Sequence, residues 1–176
     1  MKNFKRVTIA WLALSLSSFT YATCEQSLSS QVKQLDADLA TFDQTAKSGW
    51  RKLAAEKCYK QAATLIEQYI EQANSDNSAL QWHLLQMHAM AGNTPQAIKL
   101  GHEIVAKAPP SQPAFLWKEY VQATVAFLEG DNQQLLHNRN LLARHKHSKP
   151  NEMNLMALDR LIANIKKPYA DAYFAK

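Results

Sequence analysis

Few residues in this chain combine the type and the spacing that catalysis or metal binding requires. His145 and His147 form a His-x-His pair, which can ligate a transition metal, but the surrounding segment 144–149 is basic and repels cations. Glu67 and Glu71 lie one helical turn apart, yet the amphipathic pattern around them predicts a solvated face rather than a catalytic pocket. The chain contains no GxSxG, HExxH, Walker or dinucleotide-binding glycine pattern. We therefore predict no catalysis, no metal and no cofactor.

The first 22 residues predict a bacterial secretory signal peptide. Lysine or arginine occupies positions 2, 5 and 6, and residues 7–16 form an apolar run that is too short to span a membrane. Residues 20–22, Thr-Tyr-Ala, form an acceptable cleavage site. We expect a periplasmic or secreted protein without stable membrane insertion after cleavage. The alternative is a lipid anchor on Cys24, although the preceding residues lack the leucine and the small residue that lipid modification usually needs.

Export changes how the net charge is interpreted. The full chain has 20 basic and 15 acidic residues, a formal charge of +5. Cleavage would remove three basic residues and no acidic one, which leaves 17 against 15 and a charge near +2. Because the basic character comes largely from the export segment, it does not indicate a nucleic-acid partner.

The two cysteines of the mature segment, Cys24 and Cys58, also depend on the compartment. An oxidising periplasm would join them in a disulfide. That bond would attach the N-terminal segment to the start of the helix predicted over residues 58–72, and the chain-entropy model gives a stabilisation of ~3–4 kcal/mol. The alternative is a redox or metal pair, which a CxxC motif or neighbouring histidines would have favoured.

The elements that position these residues are predicted to be helices. Residues 82–109 predict two helices joined by a corner at Gly92-Asn93, because glycine tolerates the left-handed conformation that ends a helix. Thr94 is predicted as the N-cap of the second helix, with Pro95 at its first helical position. The plan recurs over residues 117–142 with its corner at Gly130-Asp131, and a degenerate copy precedes both at 57–72. A further helix is predicted over residues 25–42, so the chain is predicted to be all-α.

The repeated hairpin resembles the tetratricopeptide family over roughly residues 50–145. The matching positions are the Gly92-Asn93 corner, Ala97 and Pro109 in one unit, and the Gly130-Asp131 corner and Ala123 in the next. Leu135 stands where the family prefers alanine, and the early-helix tyrosine is absent from both units. The resemblance implies an α-solenoid of stacked antiparallel helix hairpins that forms a single domain over residues 23–176. The tripeptides at 49–51, 126–128 and 167–169 are also similar to those of a group of secreted bacterial proteins, which implies no activity.

The same resemblance implies a binding surface. Tetratricopeptide arrays line their concave side with the first helix of each pair, which places six residues there: Trp82, Gln86, Met90, Trp117, Tyr120 and Thr124. Aromatic side chains with interspersed amides suit a peptide ligand. The alternative is that both tryptophans pack as core. We therefore expect a helical-repeat protein that binds a protein or peptide. The alternatives are a small-ligand or lipid binder with an enclosed cavity, and an enzyme whose site no motif identifies.

Overall fold

The computed structural model describes residues 23–176, so the predicted signal peptide lies outside the described residues. Over this range the all-α prediction is confirmed, because the described residues form no strand and the single β-bridge joins Gln112 to Phe115. The described residues divide into two compact units, 23–72 and 73–176. None of the helices in the described range combines the length with the apolar composition that a membrane crossing requires.

Each unit contains a short series of helices. The first unit begins with helix α1 over residues 23–31, and its later elements are a 3₁₀ turn Val32–Asp36, α2 Leu39–Gln44, α3 Gly49–Ala55 and α4 Tyr59–Ala73. The second unit contains α5 Ser78–Met90, α6 Thr94–Lys107, α7 Trp117–Glu129, α8 Asn132–Arg144, α9 Lys149–Ala163 and α10 Tyr169–Tyr173.

The prediction of one continuous helix over residues 25–42 is wrong. The chain leaves helical geometry at Ala37 and Asp38, whose ψ angles are 155° and 159°. Asp38 then starts α2 as its N-cap, because its carboxylate accepts a hydrogen bond from the Thr41 amide at 3.0 Å. The apolar stripe therefore belongs to several short elements, and Val32 is exposed.

The predicted disulfide between Cys24 and Cys58 is confirmed, with the two Cα atoms 5.5 Å apart. It attaches α1 to the start of α4, and Gln61 donates a hydrogen bond to the Glu25 carboxylate at 2.9 Å beside it. In the same unit the ring of Phe42 stacks on Tyr69 with centroids 3.8 Å apart. The disulfide, the hydrogen bond and the stacked rings hold the short helices of this unit together. The unit is too small to bury a large core.

Both glycine corners of the second unit adopt the predicted left-handed conformation, with φ of 79° at Gly92 and 76° at Gly130. After the second corner, the Asp131 carboxylate caps α8 by accepting from the amides of Gln133 and Gln134 at 3.1 and 3.0 Å. At the first corner, α6 starts at Thr94, so that Asn93 rather than Thr94 is the N-cap residue. The tight corners fold α6 back on α5 and α8 back on α7.

The helices of this unit also pack in series, α6 against α7, α8 against α9 and α7 against α9. Gly101 marks the closest approach. A Cβ atom at Gly101 would lie 2.2 Å from Cγ2 of Val125 and 3.2 Å from Cδ1 of Leu85. Because Gly101 is buried and has a helical φ, glycine is required here for space rather than for backbone freedom.

Candidate functional site

The six residues predicted to bind a ligand do not share one open surface. The side chains of Trp82, Gln86, Tyr120 and Thr124 are buried, whereas Trp117 and Met90 are half-buried. Thr124 donates its hydroxyl proton to the Tyr120 carbonyl at 3.1 Å and is thus satisfied within its own helix. Whether these six residues bind a ligand stays a prediction. Because only Trp117 and Met90 among them keep exposed surface, a ligand would meet the set around these two side chains.

The structure brings three of the predicted residues into one aromatic cluster. The ring centroid of Trp82 lies 5.1 Å from that of Trp117 and 5.1 Å from that of Tyr120. The Trp117 and Tyr120 centroids are 6.2 Å apart. Tilted and edge-on contacts at these distances are the preferred aromatic geometries. Trp82 and Tyr120 therefore form the packed support, and Trp117 is the member that keeps exposed surface.

Helix α10 lies over the face to which Gln86, Tyr120 and Met90 belong. Tyr169 of α10 is 4% exposed and contacts Phe127 of α7 with ring centroids 5.9 Å apart. Helix α10 packs on α5 and α9 as well. We call the surface formed by α5, α7 and α9 beneath α10 the first-helix face.

Burial changes the pKa values of Tyr120 and Tyr169 at the first-helix face. It raises the pKa of Tyr120 well above its ordinary value, with a further contribution from Tyr169 and Tyr173. Burial also raises the pKa of Tyr169, and the nearby Gln86 amide opposes this only in part. Both phenols are therefore neutral at physiological pH, and they contribute apolar contact and hydrogen bonds rather than charge.

A cleft of about 670 Å³ opens on another side of the second unit, where the linker between α6 and α7 passes the start of α5. We call it the linker cleft. Its apolar wall comes from Ile104, Pro109, Pro110, Phe115 and Trp117. The ring centroids of Phe115 and Trp117 are 5.7 Å apart, and Phe115 is 44% exposed. An aromatic pair left this open provides apolar area for a ligand to cover.

Polar side chains complete the lining of the linker cleft. Asp76 and Lys107 contribute opposite charges, and Gln81 and Gln112 contribute amides that can donate and accept hydrogen bonds. Ser111 is already engaged, because its hydroxyl donates to the Glu119 carboxylate. The cleft can therefore combine apolar contact with hydrogen bonds and with either sign of charge. It contains no histidine or cysteine among its lining residues.

Asn151 of α9 fixes the linker that forms the cleft wall. It is completely buried, and its side-chain oxygen accepts a hydrogen bond from the Leu116 amide at 2.8 Å. Its side-chain nitrogen donates to the carbonyls of Pro113 and His145 at 2.9 and 3.1 Å. The Ser148 hydroxyl donates to the Ala114 carbonyl nearby. The linker that carries Phe115 is thus held in one conformation before any ligand arrives.

Residues considered for chemistry in the sequence lie apart from both surfaces. His145 and His147 are exposed between α8 and α9, and Glu67 and Glu71 are exposed on α4. Within residues 23–176 there is no group of three or more histidine, cysteine, aspartate or glutamate side chains placed to hold a metal ion.

Sequence reasoning missed both Phe115 and Asn151. The signal for Phe115 was the proline-rich linker, since an aromatic residue between a run of prolines and a helix start has few ways to be buried. Asn151 carries no such signal, because asparagine in the first turn of a helix ordinarily indicates capping. Comparison with known proteins adds no assignment: no protein-family model, no curated protein and no solved structure matches this chain.

Proposed function

We propose that this protein binds another protein or a peptide through the linker cleft and has no catalytic activity of its own. The observation that carries the proposal is the contact of the exposed Phe115 with the half-buried Trp117, in a cleft whose wall is fixed by Asn151. A ligand that covers this pair gains apolar burial worth roughly 25 cal/mol per Å². Because the wall is already ordered, little of that gain is lost to ordering the linker.

A peptide suits the linker cleft because its lining combines apolar and polar groups. An inserted apolar or aromatic side chain would contact Phe115 and Trp117, and the neighbouring main chain would find hydrogen-bonding amides at Gln81 and Gln112. Aromatic anchors surrounded by polar groups are typical of the residues that dominate binding at protein interfaces.

We further infer that the second unit is arranged like a tetratricopeptide array. Support comes from the two left-handed glycine corners, which lie 38 positions apart, and from the serial packing of α5 to α9. Gly101 adds the small residue that close packing between neighbouring pairs needs. In such an array, the loops between helix pairs vary more than the pairs themselves. The linker between two pairs can therefore carry a dedicated ligand site.

We also infer export to the periplasm or beyond the cell. The predicted signal peptide supports it, and a disulfide between Cys24 and Cys58 is typical of proteins in oxidising compartments. A lipid anchor on Cys24 would use the same sulfur atom that bonds to Cys58, so anchor and disulfide exclude one another. The disulfide therefore favours the unanchored form.

A second candidate function is the binding of a small amphipathic molecule, and the size of the linker cleft favours it. A volume of about 670 Å³ lies within the range of roughly 300–1,000 Å³ that small-molecule sites occupy. Native mass spectrometry of the protein purified from its producing cells would detect such a molecule as a mass adduct that Phe115→Ala removes.

Site-specific crosslinking tests the main proposal. A photoreactive phenylalanine analogue is placed at Phe115 and, as a matched control, at Met153, which is 60% exposed on α9 and does not line the cleft. We expect a discrete protein or peptide adduct from position 115 alone. Adducts of equal yield from both positions, or none from position 115 together with a bound small molecule, would contradict peptide binding at this cleft.

A further inference from the structure

Helix α10 is a peptide segment already held on the first-helix face. Arg160 donates from Nε to the Tyr173 carbonyl at 2.9 Å, and its guanidinium lies 5.6 Å from the centre of the Tyr173 ring. Tyr169 and Tyr173 are four residues apart, and their rings stack with centroids 5.6 Å apart. The face therefore recognises an aromatic pair on one side of a helix together with a main-chain carbonyl at the helix end.

The fit of α10 to this face is incomplete. The Tyr169 hydroxyl is buried and makes no hydrogen bond within 3.5 Å, although the Gln86 amide lies near it, so the cost of burying the hydroxyl is recovered only in part. A cavity of about 210 Å³, lined among others by Met90, Phe127 and Pro168, remains beside Tyr169. An occupant that fills this cavity and satisfies the hydroxyl position would bind better than α10 does.

Few contacts hold α10 in place. Of its five residues only Tyr169 and Ala172 are buried, and a helix of this length has little stability of its own. Neighbouring Phe174 is 60% exposed. Release of α10 would uncover Gln86 and Tyr120, two of the residues that the sequence predicted to bind a ligand, without breaking the pairs α5–α6 and α7–α8.

We propose that α10 is a built-in occupant of the first-helix face, and that this face exchanges it for a partner's helical segment bearing aromatic side chains four residues apart. The partner segment is longer than α10, fills the cavity beside Met90 and places a main-chain carbonyl against Arg160. The exchange takes place on a different surface from the linker cleft, so it goes beyond the function proposed above. An experiment can refute either proposal without refuting the other.

The test uses the full chain and a synthetic peptide of residues 166–176 as the competing segment. Attachment gives α10 an effective concentration of order millimolar, so the peptide is titrated to millimolar and followed by NMR. Tyr169→Ala weakens the attached occupant and should tighten peptide binding by about tenfold over the unmodified chain, with shifts at Gln86 and Tyr120. Leu136→Ala, which removes an exposed side chain on α8, should leave peptide affinity unchanged.

A second variant keeps the test decisive if Tyr169→Ala fails to fold. Tyr169→Phe removes the unpartnered hydroxyl, strengthens the attached occupant and should weaken peptide binding by at least about threefold. A folded Tyr169→Ala chain that binds no peptide would overturn the proposal, as would a Tyr169→Phe chain that binds it as well as the unmodified one. Dimers formed by exchange of α10 between two copies would overturn the assignment to a separate partner.

Discussion

Replacing Asn151 with alanine tests whether one buried side chain holds the linker cleft together. The change removes three hydrogen bonds, to the Leu116 amide and to the carbonyls of Pro113 and His145. At about 1 kcal/mol each, the loss is about 3 kcal/mol, and the buried Leu116 amide is left without its partner. In urea, with a slope of roughly 1–2 kcal/mol per molar, the unfolding midpoint should fall by about 1.5–3 M.

The assay is urea unfolding followed by circular dichroism and by tryptophan fluorescence, which reports on Trp50, Trp82 and Trp117, the last of them next to the linker. The matched control is Asn140→Ala, because Asn140 is an exposed asparagine on α8 and should change stability by no more than about 0.5 kcal/mol. If Asn151→Ala loses less than about 1 kcal/mol, the linker is held by other contacts and the reasoning that makes the cleft preformed is refuted.

Three further predictions concern packing, the disulfide and pH. Gly101→Ala should destabilise the second unit by about 1–3 kcal/mol in urea unfolding, and Val125→Ala should restore part of the loss; additive effects would contradict the close approach. Replacing both cysteines with serine should cost about 4 kcal/mol for a separation of 34 residues, seen as a lower thermal midpoint, and an unchanged midpoint would show that the bond constrains little. Burial raises the pKa of Tyr120 and Tyr169 above the ordinary 10.0. The contribution of the two neutral phenols to stability is therefore complete below pH 10 and is lost as the pH rises above it. Raising the pH to 11 should lower the free energy of unfolding by about 3 kcal/mol. In the Tyr169→Phe chain this loss should be about half as large, and equal losses in the two chains would refute the assignment.

The sequence was sufficient to predict those parts of the fold that local rules determine. Glycine at 92 and 130 follows an apolar helix and tolerates the left-handed conformation that commonly ends one, and both positions adopt that conformation. The pairing of Cys24 with Cys58 followed from there being two cysteines in the mature part of a chain predicted to be exported. The break at Asp38 was missed because the apolar spacing continued across it, while the capping side chain favoured a new helix start.

The candidate site was less accessible to sequence reasoning because it depends on contacts between distant segments. The resemblance to tetratricopeptide repeats predicted Gln86 and Tyr120 on the same side of the helix pairs, but it did not predict that α10 covers these two residues. Asn151 contacts a linker 35 positions earlier, and no local pattern reports such a contact. The exposure of Phe115 likewise follows from how the linker is held and not from its neighbours in sequence.

The most direct measurement of the central claim is the affinity of the segment that crosslinks to position 115, measured by calorimetry on three chains. We expect Phe115→Ala to weaken binding by at least about tenfold, since removing an interface anchor costs more than about 1.4 kcal/mol. Met153→Ala should bind like the unmodified protein. Equal affinity of all three chains for the segment would contradict the claim that the linker cleft is the binding site.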